Sequence, residues 1–144
     1  EVAFRRRYDP SLPDIEADSD HLHEAFQNIV RNGAEAALSG GRAERPEITV
    51  TTAFETGFGQ KSPDSQGPLR RAIRVDVQDN GPGVALDRLA SVFEAFASSK
   101  SGGRGLGLTI VKEVVSAHSG YVRLDNHGGG TRVSVFLPIG ARSE

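Results

Sequence analysis

The sequence predicts an α+β two-layer sandwich, in which a mixed β-sheet of about five strands is covered on one face by about three helices. Two observations lead to this fold class. Five segments have the two-residue alternation of strands, and segments with the three- to four-residue spacing of helices interrupt them. The order is strand, helix, two strands, a glycine-rich region, helix and two strands, which suits one helical layer on one sheet. We expect a single domain that spans residues 1–144.

Five segments have the pattern of strands. Residues 2–8 alternate, and the turn residues DPSLP that follow end this strand. Two further segments are rich in β-branched residues, and NHGGG between the last two predicts a hairpin. The polar residues 56–71, rich in glycine, serine and proline, predict a surface loop between the second and third strands. The four later strands are predicted at 47–55, 72–79, 121–125 and 131–137.

Three segments have the pattern of helices. The first follows Asp18 and Asp20, either of which is a suitable cap, and SGG at 39–41 ends it. A short helix is predicted at 86–93 and a longer one at 108–118. The apolar positions of the first helix recur at three- and four-residue intervals: Leu22, Ala25, Phe26, Ile29, Val30, Gly33, Ala34 and Ala37.

The composition excludes several classes of protein. Hydrophobic residues make up 37% of the chain and charged residues 25%, and 19 acidic residues nearly balance 17 basic ones. We therefore expect a globular protein without strong electrostatic attraction to nucleic acid or to a membrane. No apolar run approaches the roughly 20 residues that span a bilayer. The lack of cysteine excludes disulfides and thiolate metal sites, and the lack of methionine predicts a piece of a longer protein.

Asn28 and Asn32 are four residues apart in the first predicted helix and therefore share one face. Asparagine is unfavourable inside a helix, because its amide competes for backbone hydrogen bonds. One explanation is function, since a side-chain carbonyl oxygen suits Mg²⁺, which completes its shell with water and phosphate. The other is that both amides face solvent or cap neighbouring loops. The helix taken alone favours this second interpretation.

The motif DNGPG, residues 79–83, follows the third predicted strand. In a turn, an aspartate such as Asp79 ordinarily makes only local hydrogen bonds. If it lines an apolar pocket instead, its carboxylate suits the exocyclic amine of adenine and disfavours guanine, which presents a carbonyl there. Gly81 and Gly83 would allow the backbone to approach such a ring closely. Taken alone, the motif favours an ordinary turn.

The segment GGRGLGL, residues 102–108, directly precedes the later predicted helix. The first turn of a helix has free N–H groups and the positive end of the dipole, which together attract phosphate. Lys100 and Arg104 could add charged contacts. The patterns of Rossmann and P-loop sites are absent, as is the elbow of serine hydrolases. The histidines have no metal-ligand spacing and are predicted to be non-catalytic: His21, His23, His118 and His127.

Five motifs occur together in the order of one known family. They are NIVRN in the first helix, DNGPG after a strand, VFEAF, GRGLGL before a helix, and GGGT before the last strand. In this order the chain resembles the ATP-binding catalytic domain of sensor histidine kinases, which has the Bergerat fold shared by gyrase, the Hsp90 chaperones and MutL. The resemblance covers nearly the whole chain. The flanking sequence, including TTAF and FASSK, most resembles the sensor kinases of nitrogen regulation.

The resemblance implies a site for ATP and Mg²⁺. It implies that the catalytic residues are Asn32, which coordinates Mg²⁺ at the phosphates, and Asn28, which supports the phosphate side. Asp79 would take the adenine amine, and Thr131 would help to hold the base through water. A lid of about residues 93–107 would cover the phosphates. The implied ATP-binding residues are Asn28, Asn32, Asp79, Gly81, Gly83, Phe96, Lys100, Gly103, Arg104, Gly105, Leu106, Gly107, Leu108 and Thr131.

The resemblance also implies phosphoryl transfer in preference to hydrolysis. ATPase relatives have a Glu four residues before the metal-binding Asn, whereas this chain has Asn28, and an amide cannot serve as a general base. The expected activity is that of a protein histidine kinase. Its γ-phosphoryl group would pass to a histidine on a separate dimerisation domain and then to a response regulator. We expect residues 1–144 to be a cytoplasmic, monomeric fragment of a homodimer that lacks the acceptor histidine.

Two other functions remain open from the sequence. The same scaffold occurs in serine-protein kinases of the anti-sigma type, and a domain that binds nucleotide without phosphoryl transfer would serve only for interaction. A helical hairpin with an acceptor histidine upstream would favour the histidine kinase. A smaller departure from the family is Gly33, where an alanine commonly follows the metal-binding Asn. This glycine is expected to cost about 1 kcal/mol of helix propensity without removing the site.

Overall fold

A computed structural model describes residues 2–39, 45–58, 70–83 and 104–139. Within these ranges the chain forms two helices and five strands, and the predicted α+β fold is confirmed. The predicted short helix at 86–93 lies outside the described residues. Neither described helix has the length and apolar character needed to cross a membrane. In chain order the elements are β1 (Ala3–Arg7), α1 (Ser19–Ser39), β2 (Glu47–Phe58), β3 (Arg70–Asp79), α2 (Arg104–Ala117), β4 (Tyr121–His127) and β5 (Gly130–Pro138).

The five strands form one mixed sheet in the order β1-β2-β3-β5-β4. β1 pairs in parallel with β2, and the other neighbouring strands are antiparallel. β4 and β5 form the predicted hairpin. Its turn residues Gly128 and Gly129 have φ angles of 62° and 92°, which glycine adopts without strain. β1 and β4 are the two edges of this sheet.

Both helices pack on the same face of the sheet. Their core residues are spaced four apart, and those of the central strands are spaced two apart, as amphipathic helices and half-buried strands require. No helix of the described ranges packs on the other face, which we call the open face. It carries Phe136 and Tyr121, whose rings stack with centroids 4.5 Å apart. The main core consists of Ala25, Ile29, Ile48, Val50, Val77, Val111, Val115, Val133, Val135 and Leu137.

Some predicted boundaries are wrong. β2 extends to Phe58 and β3 begins at Arg70, so both ends of the predicted loop 56–71 are strand. Cross-strand pairing carries the two strands this far, with a register irregularity after Glu55. α2 begins at Arg104 and not at residue 108, so residues 104–107 form its first turn, and the predicted lid function of this segment stays a prediction. A helical glycine costs only about 1 kcal/mol, and α2 as a whole packs against α1.

Asp18 is the cap of α1. Its Oδ1 accepts a hydrogen bond from the N–H of His21 at 3.1 Å. The backbone N–H of Asp18 donates to Nε2 of His118 at 2.9 Å, and Nδ1 of His118 lies 2.9 Å from the carbonyl oxygen of Val114. A backbone N–H only donates and a carbonyl only accepts, so these bonds require the tautomer of His118 protonated on Nδ1. This histidine links the end of α2 to the start of α1.

Candidate functional site

Asp79 lies at the end of β3 with only 6% of its surface exposed. Its Oδ1 accepts two backbone hydrogen bonds, from Gly81 at 2.8 Å and from Thr131 at 3.3 Å. Burial raises the pKa of the Asp79 carboxyl, and the two N–H donors oppose this shift. No residue in the described ranges donates to Oδ2, which is not fully enclosed. One carboxylate oxygen is therefore fixed by the fold, and the other is available to a ligand.

α1 approaches this carboxylate at Gly33. A Cβ at Gly33 would lie 3.7 Å from Cβ and 3.8 Å from Oδ2 of Asp79, and 2.8 Å from Cδ1 of Ile48. Ile48 pairs directly with Asp79 across β2 and β3. The δ-methyl group of Ile48 thus fills the space that a side chain at position 33 would need. Gly33 is a packing residue of the site, a role that helix propensity alone did not indicate.

Two glycines hold the DNGPG turn against its neighbours. A Cβ at Gly81 would lie 2.7 Å from the carbonyl carbon of Ala36 in α1, and closer still to its oxygen. A Cβ at Gly130 would lie 2.8 Å from the carbonyl carbon of Asp79. Since both obstructions are backbone, the turn lies tightly between α1 and the β4–β5 hairpin. The predicted contact of Gly81 with a base stays a prediction.

Two more residues of the motif have structural roles. The Asn80 amide accepts from the N–H of Glu47 and donates to the carbonyl of Arg45, both at 2.9 Å, which ties the turn to the start of β2. Gly83 has a φ of 84°, and a Cβ there would lie 3.0 Å from Oδ1 of Asn126. Sequence reasoning missed Asn80, for which the motif offers no separate signal. The predicted contact of Gly83 with a base stays a prediction.

Asn28 and Asn32 lie one turn apart on one face of α1, and Ala36 continues this column to the turn at Gly81. Asn28 is half-buried, and its Oδ1 accepts from Nη1 of Arg31 at 3.0 Å. Nδ2 of Asn32 is fully buried and has no hydrogen-bond partner among the residues described. An unpartnered buried amide is unfavourable. Since Nδ2 is enclosed, it is Oδ1, which is not fully enclosed, that could meet a group outside the described protein.

The Asn32 amide fits a Mg²⁺ ion that is shared with phosphate. Mg²⁺ favours oxygen ligands and usually takes only one or two of them from protein, with water and phosphate completing its shell. An asparagine amide offers one such oxygen, and Oδ1 of Asn32 is the end of this amide that is not fully enclosed. The described ranges contain no group of three His, Cys, Asp or Glu side chains suited to a metal. A Mg²⁺ ion held by Oδ1 of Asn32 would complete its shell with water and phosphate oxygens.

The remaining predicted ATP-binding residues belong to the phosphate side. Phe96, Lys100 and Gly103 lie outside the described residues. Residues 104–107 form the first turn of α2, where backbone N–H groups have no partner within the helix. The side chain of Leu108 is buried, so only its backbone could meet a ligand. The predicted phosphate contacts of this group stay predictions, as does the water-mediated contact of Thr131.

The described ranges thus have one helical layer on a mixed sheet. A buried aspartate with one unbonded carboxylate oxygen lies beside a helix that carries two asparagines. Residues 17–141 match the family model described as histidine kinase-, DNA gyrase B-, and HSP90-like ATPase. The chain belongs to this family. The resemblance predicted from the five ordered motifs is confirmed.

Particular relatives are sensor kinases. The chain is 36% identical to the sensory histidine kinase/phosphatase NtrB of Azospirillum brasilense over 96% of this chain and 34% of the relative. For NtrB of Klebsiella oxytoca the identity is 39%, over 96% of this chain and 37% of the relative. The mycobacterial sensor histidine kinase MprB has a similar structure, with a TM-score of 0.73 and 26% identity over 95% of this chain and 83% of that chain. The chain spans about a third of the length of the curated relatives it matches.

Proposed function

We propose that the chain binds ATP with Mg²⁺ and transfers the γ-phosphoryl group to a histidine on a separate domain. The observation that supports this most is the buried Asp79 carboxylate, whose Oδ1 is held by two N–H groups while Oδ2 is left to a ligand. The adenine amine is a donor and suits Oδ2, whereas the guanine carbonyl would repel it. The names of the NtrB relatives support histidine as the acceptor and two-component nitrogen signalling as the setting.

Each part of the site has one proposed task. Asp79 orients the base, and because the fold fixes its Oδ1 beforehand, little ordering is left for binding. The Asn32 amide holds Mg²⁺, which when bound neutralises charge on the phosphates. The first turn of α2 presents N–H groups to the phosphate oxygens. Asn28 cannot take a proton from water, which favours transfer to an acceptor over hydrolysis.

Calorimetry with ATP and GTP, each with and without Mg²⁺, tests nucleotide binding. ATP should bind at least about tenfold more tightly than GTP, because a hydrogen bond to a charged group is gained with adenine only. Asn32→Ala should lose the tightening by Mg²⁺ and keep the Mg²⁺-independent binding. Gln27→Ala, at an exposed position of the same helix, is the control and should keep both. Equal affinity for ATP and GTP would exclude Asp79 as the adenine contact.

A transfer assay tests the acceptor. The chain would be mixed with ATP labelled in the γ-phosphate and with the part of the Azospirillum brasilense relative that lies outside the matched region. Label that is lost in acid and kept in base indicates phosphohistidine and supports the proposal. Acid-stable label would favour a serine-protein kinase of the anti-sigma type instead. ATP binding without any transfer would favour a domain that serves only for interaction.

For the longer protein we propose a cytoplasmic homodimer, in which the acceptor histidine lies on the dimerisation domain and a response regulator receives the phosphoryl group. The NtrB relatives, about three times the length of this chain, support this arrangement. Residues 1–144 alone should then be monomeric. Light scattering measures this directly, and a stable dimer of these residues would contradict the proposed position of the dimer interface.

A further inference from the structure

β1 is an edge strand whose backbone is half unpaired in the described part of the chain. The N–H of Ala3 donates to the carbonyl of Pro46 at 2.9 Å, and the parallel register with β2 continues to Arg7. Backbone groups of successive strand residues point to opposite sides within the sheet. Ala3, Arg5 and Arg7 therefore direct their N–H and C=O groups at β2. Phe4 and Arg6 direct theirs outward.

The same strand concentrates positive charge. All five of its residues are exposed, and three of them are consecutive arginines. Arg5 forms an ion pair with Glu47. Within the ranges described, Arg6 and Arg7 have no acidic partner, and the Arg6 guanidinium lies 4.9 Å from the centre of the Phe4 ring. Since the whole chain has a net charge of −2, this edge is a local reversal of the overall charge.

The two faces of β1 differ. Arg5 and Arg7 pair with Thr49 and Thr51 and so lie on the open face, whereas Phe4 pairs with the core residue Ile48 on the helix-covered face. Phe4 is 42% exposed, so its ring is accessible at the edge of that face. A strand added outside β1 would therefore meet Arg5 and Arg7 on one face, and the Phe4 ring with Arg6 beside it on the other.

We propose that β1 is a docking edge for an extended acidic segment of a partner protein, which adds a sixth strand to the sheet. The outward groups of Phe4 and Arg6 would supply main-chain hydrogen bonds. Acidic residues at alternate positions of the segment would face Arg5 and Arg7, since opposite charges on neighbouring strands attract. A second copy of β1 is disfavoured, because its arginines would face those of the first. The charges thus prevent self-association and select an acidic partner.

The test uses a fluorescent peptide of alternating Glu and Val, with a peptide of alternating Lys and Val as its control. Fluorescence anisotropy should show saturable binding of the first peptide and none of the second. Hydrogen exchange locates the contact: the peptide should slow exchange at the amides of Phe4 and Arg6. The amides of Arg5 and Arg7, which face β2, should not change. Without slowing at Phe4 and Arg6, the proposal fails.

Two pairs of variants separate charge from backbone. Arg7→Glu should weaken binding about threefold to tenfold, because one cross-strand attraction becomes repulsion. Arg71→Glu changes the net charge equally at an exposed position of β3 and should have little effect. Phe4→Pro removes an outward N–H, whereas Phe4→Ala loses the same ring but keeps that donor. The proline variant should bind about tenfold more weakly than the alanine variant.

Several outcomes would overturn the proposal. Equal weakening by Arg7→Glu and Arg71→Glu would show only non-specific attraction. Equal affinity of the Phe4 variants would exclude strand addition. The chain could instead form a dimer that becomes more stable with Arg7→Glu and that the acidic peptide does not dissociate. This result would show that a second copy of the chain occupies the edge of β1. If circular dichroism shows that Phe4→Pro is unfolded, the exchange pattern of the unmodified chain decides. Because β1 lies outside the nucleotide site, failure of ATP binding leaves this proposal untouched.

Discussion

Replacing Asp79 with asparagine should separate nucleotide binding from stability. The carbonyl oxygen of the new amide can still accept from Gly81 and Thr131, whereas the position of Oδ2 becomes an NH₂ group that donates. The adenine amine would then face a donor where it had an acceptor. Loss of a hydrogen bond to a charged group is worth about 1.5–3 kcal/mol. The Kd for ATP should therefore rise by about 10- to 150-fold.

The same change should leave the ligand-free protein at least as stable. Burial raises the pKa of Asp79 in the folded state above its ordinary value of 3.8. Between the unfolded and the folded pKa, folding therefore takes up a proton. The contribution of Asp79 to stability is fully present below the unfolded pKa, and it is lost as the pH rises through the folded pKa. At neutral pH the ionised carboxylate opposes folding. An amide has no charge to desolvate, and Asp79→Asn should flatten the fall in stability just above pH 3.8.

Calorimetry measures the Kd, and urea unfolding over a pH series measures the free energy of unfolding. Asp76→Asn is the matched control, since Asp76 is also buried in β3 but faces the open side, where it pairs with Arg74. It should leave the Kd for ATP within about a factor of two. Normal ATP binding by Asp79→Asn would exclude the proposed contact of Oδ2 with adenine. A loss of more than about 1 kcal/mol of stability at neutral pH would show that an amide oxygen cannot replace Oδ1.

Packing contacts around the site give three further predictions, all measured by urea unfolding. Gly81→Ala should lose about 1–3 kcal/mol, because its Cβ would overlap the Ala36 carbonyl, and unchanged stability would mean that the turn is not confined by α1. The double variant Gly33→Ala, Ile48→Val should be at least about 0.5 kcal/mol more stable than the sum of the two single effects, because loss of the Ile48 δ-methyl group makes room for the new methyl group at position 33. Strictly additive effects would contradict this contact. His118→Leu should lose about 1 kcal/mol and His118→Gln less, since glutamine keeps an acceptor for the N–H at the start of α1, and equal losses would argue against that bond.

The fold could be predicted because the alternation of core-facing and outward-facing side chains is visible within each single strand. In β3, Val75, Val77 and Asp79 alternate with residues of the open face, which identified both the strand and its buried side. Strand ends were less predictable, because the pairing of Phe58 with Arg70 depends on a neighbour that local composition does not reveal. The start of α2 was misplaced for a similar reason. Its glycines indicate a loop locally, and contact with α1 outweighs that preference.

The candidate site was predictable as a set of motifs and not as a set of contacts. Asp79 stood out through its motif, but the second N–H donor to its Oδ1 comes from Thr131, 52 residues away. Gly130 has a reason to be glycine only once β5 lies against the turn. The unpartnered amide of Asn32 likewise appears only when the packing of α1 is known. Long-range contacts of this kind leave no periodic trace in the sequence.

The confinement of the DNGPG turn also affects how such a chain changes over generations. At Gly81 and Gly130 any side chain would meet main-chain carbonyl groups, so no single substitution elsewhere can make room for one. A replacement would need α1 or the β4–β5 hairpin to shift as a whole, which takes several simultaneous mutations. The arginines of β1, in contrast, are exposed and each is one substitution from another charge. Among related sequences, the residues around Asp79 should therefore change slowly, whereas the residues of β1 should vary more.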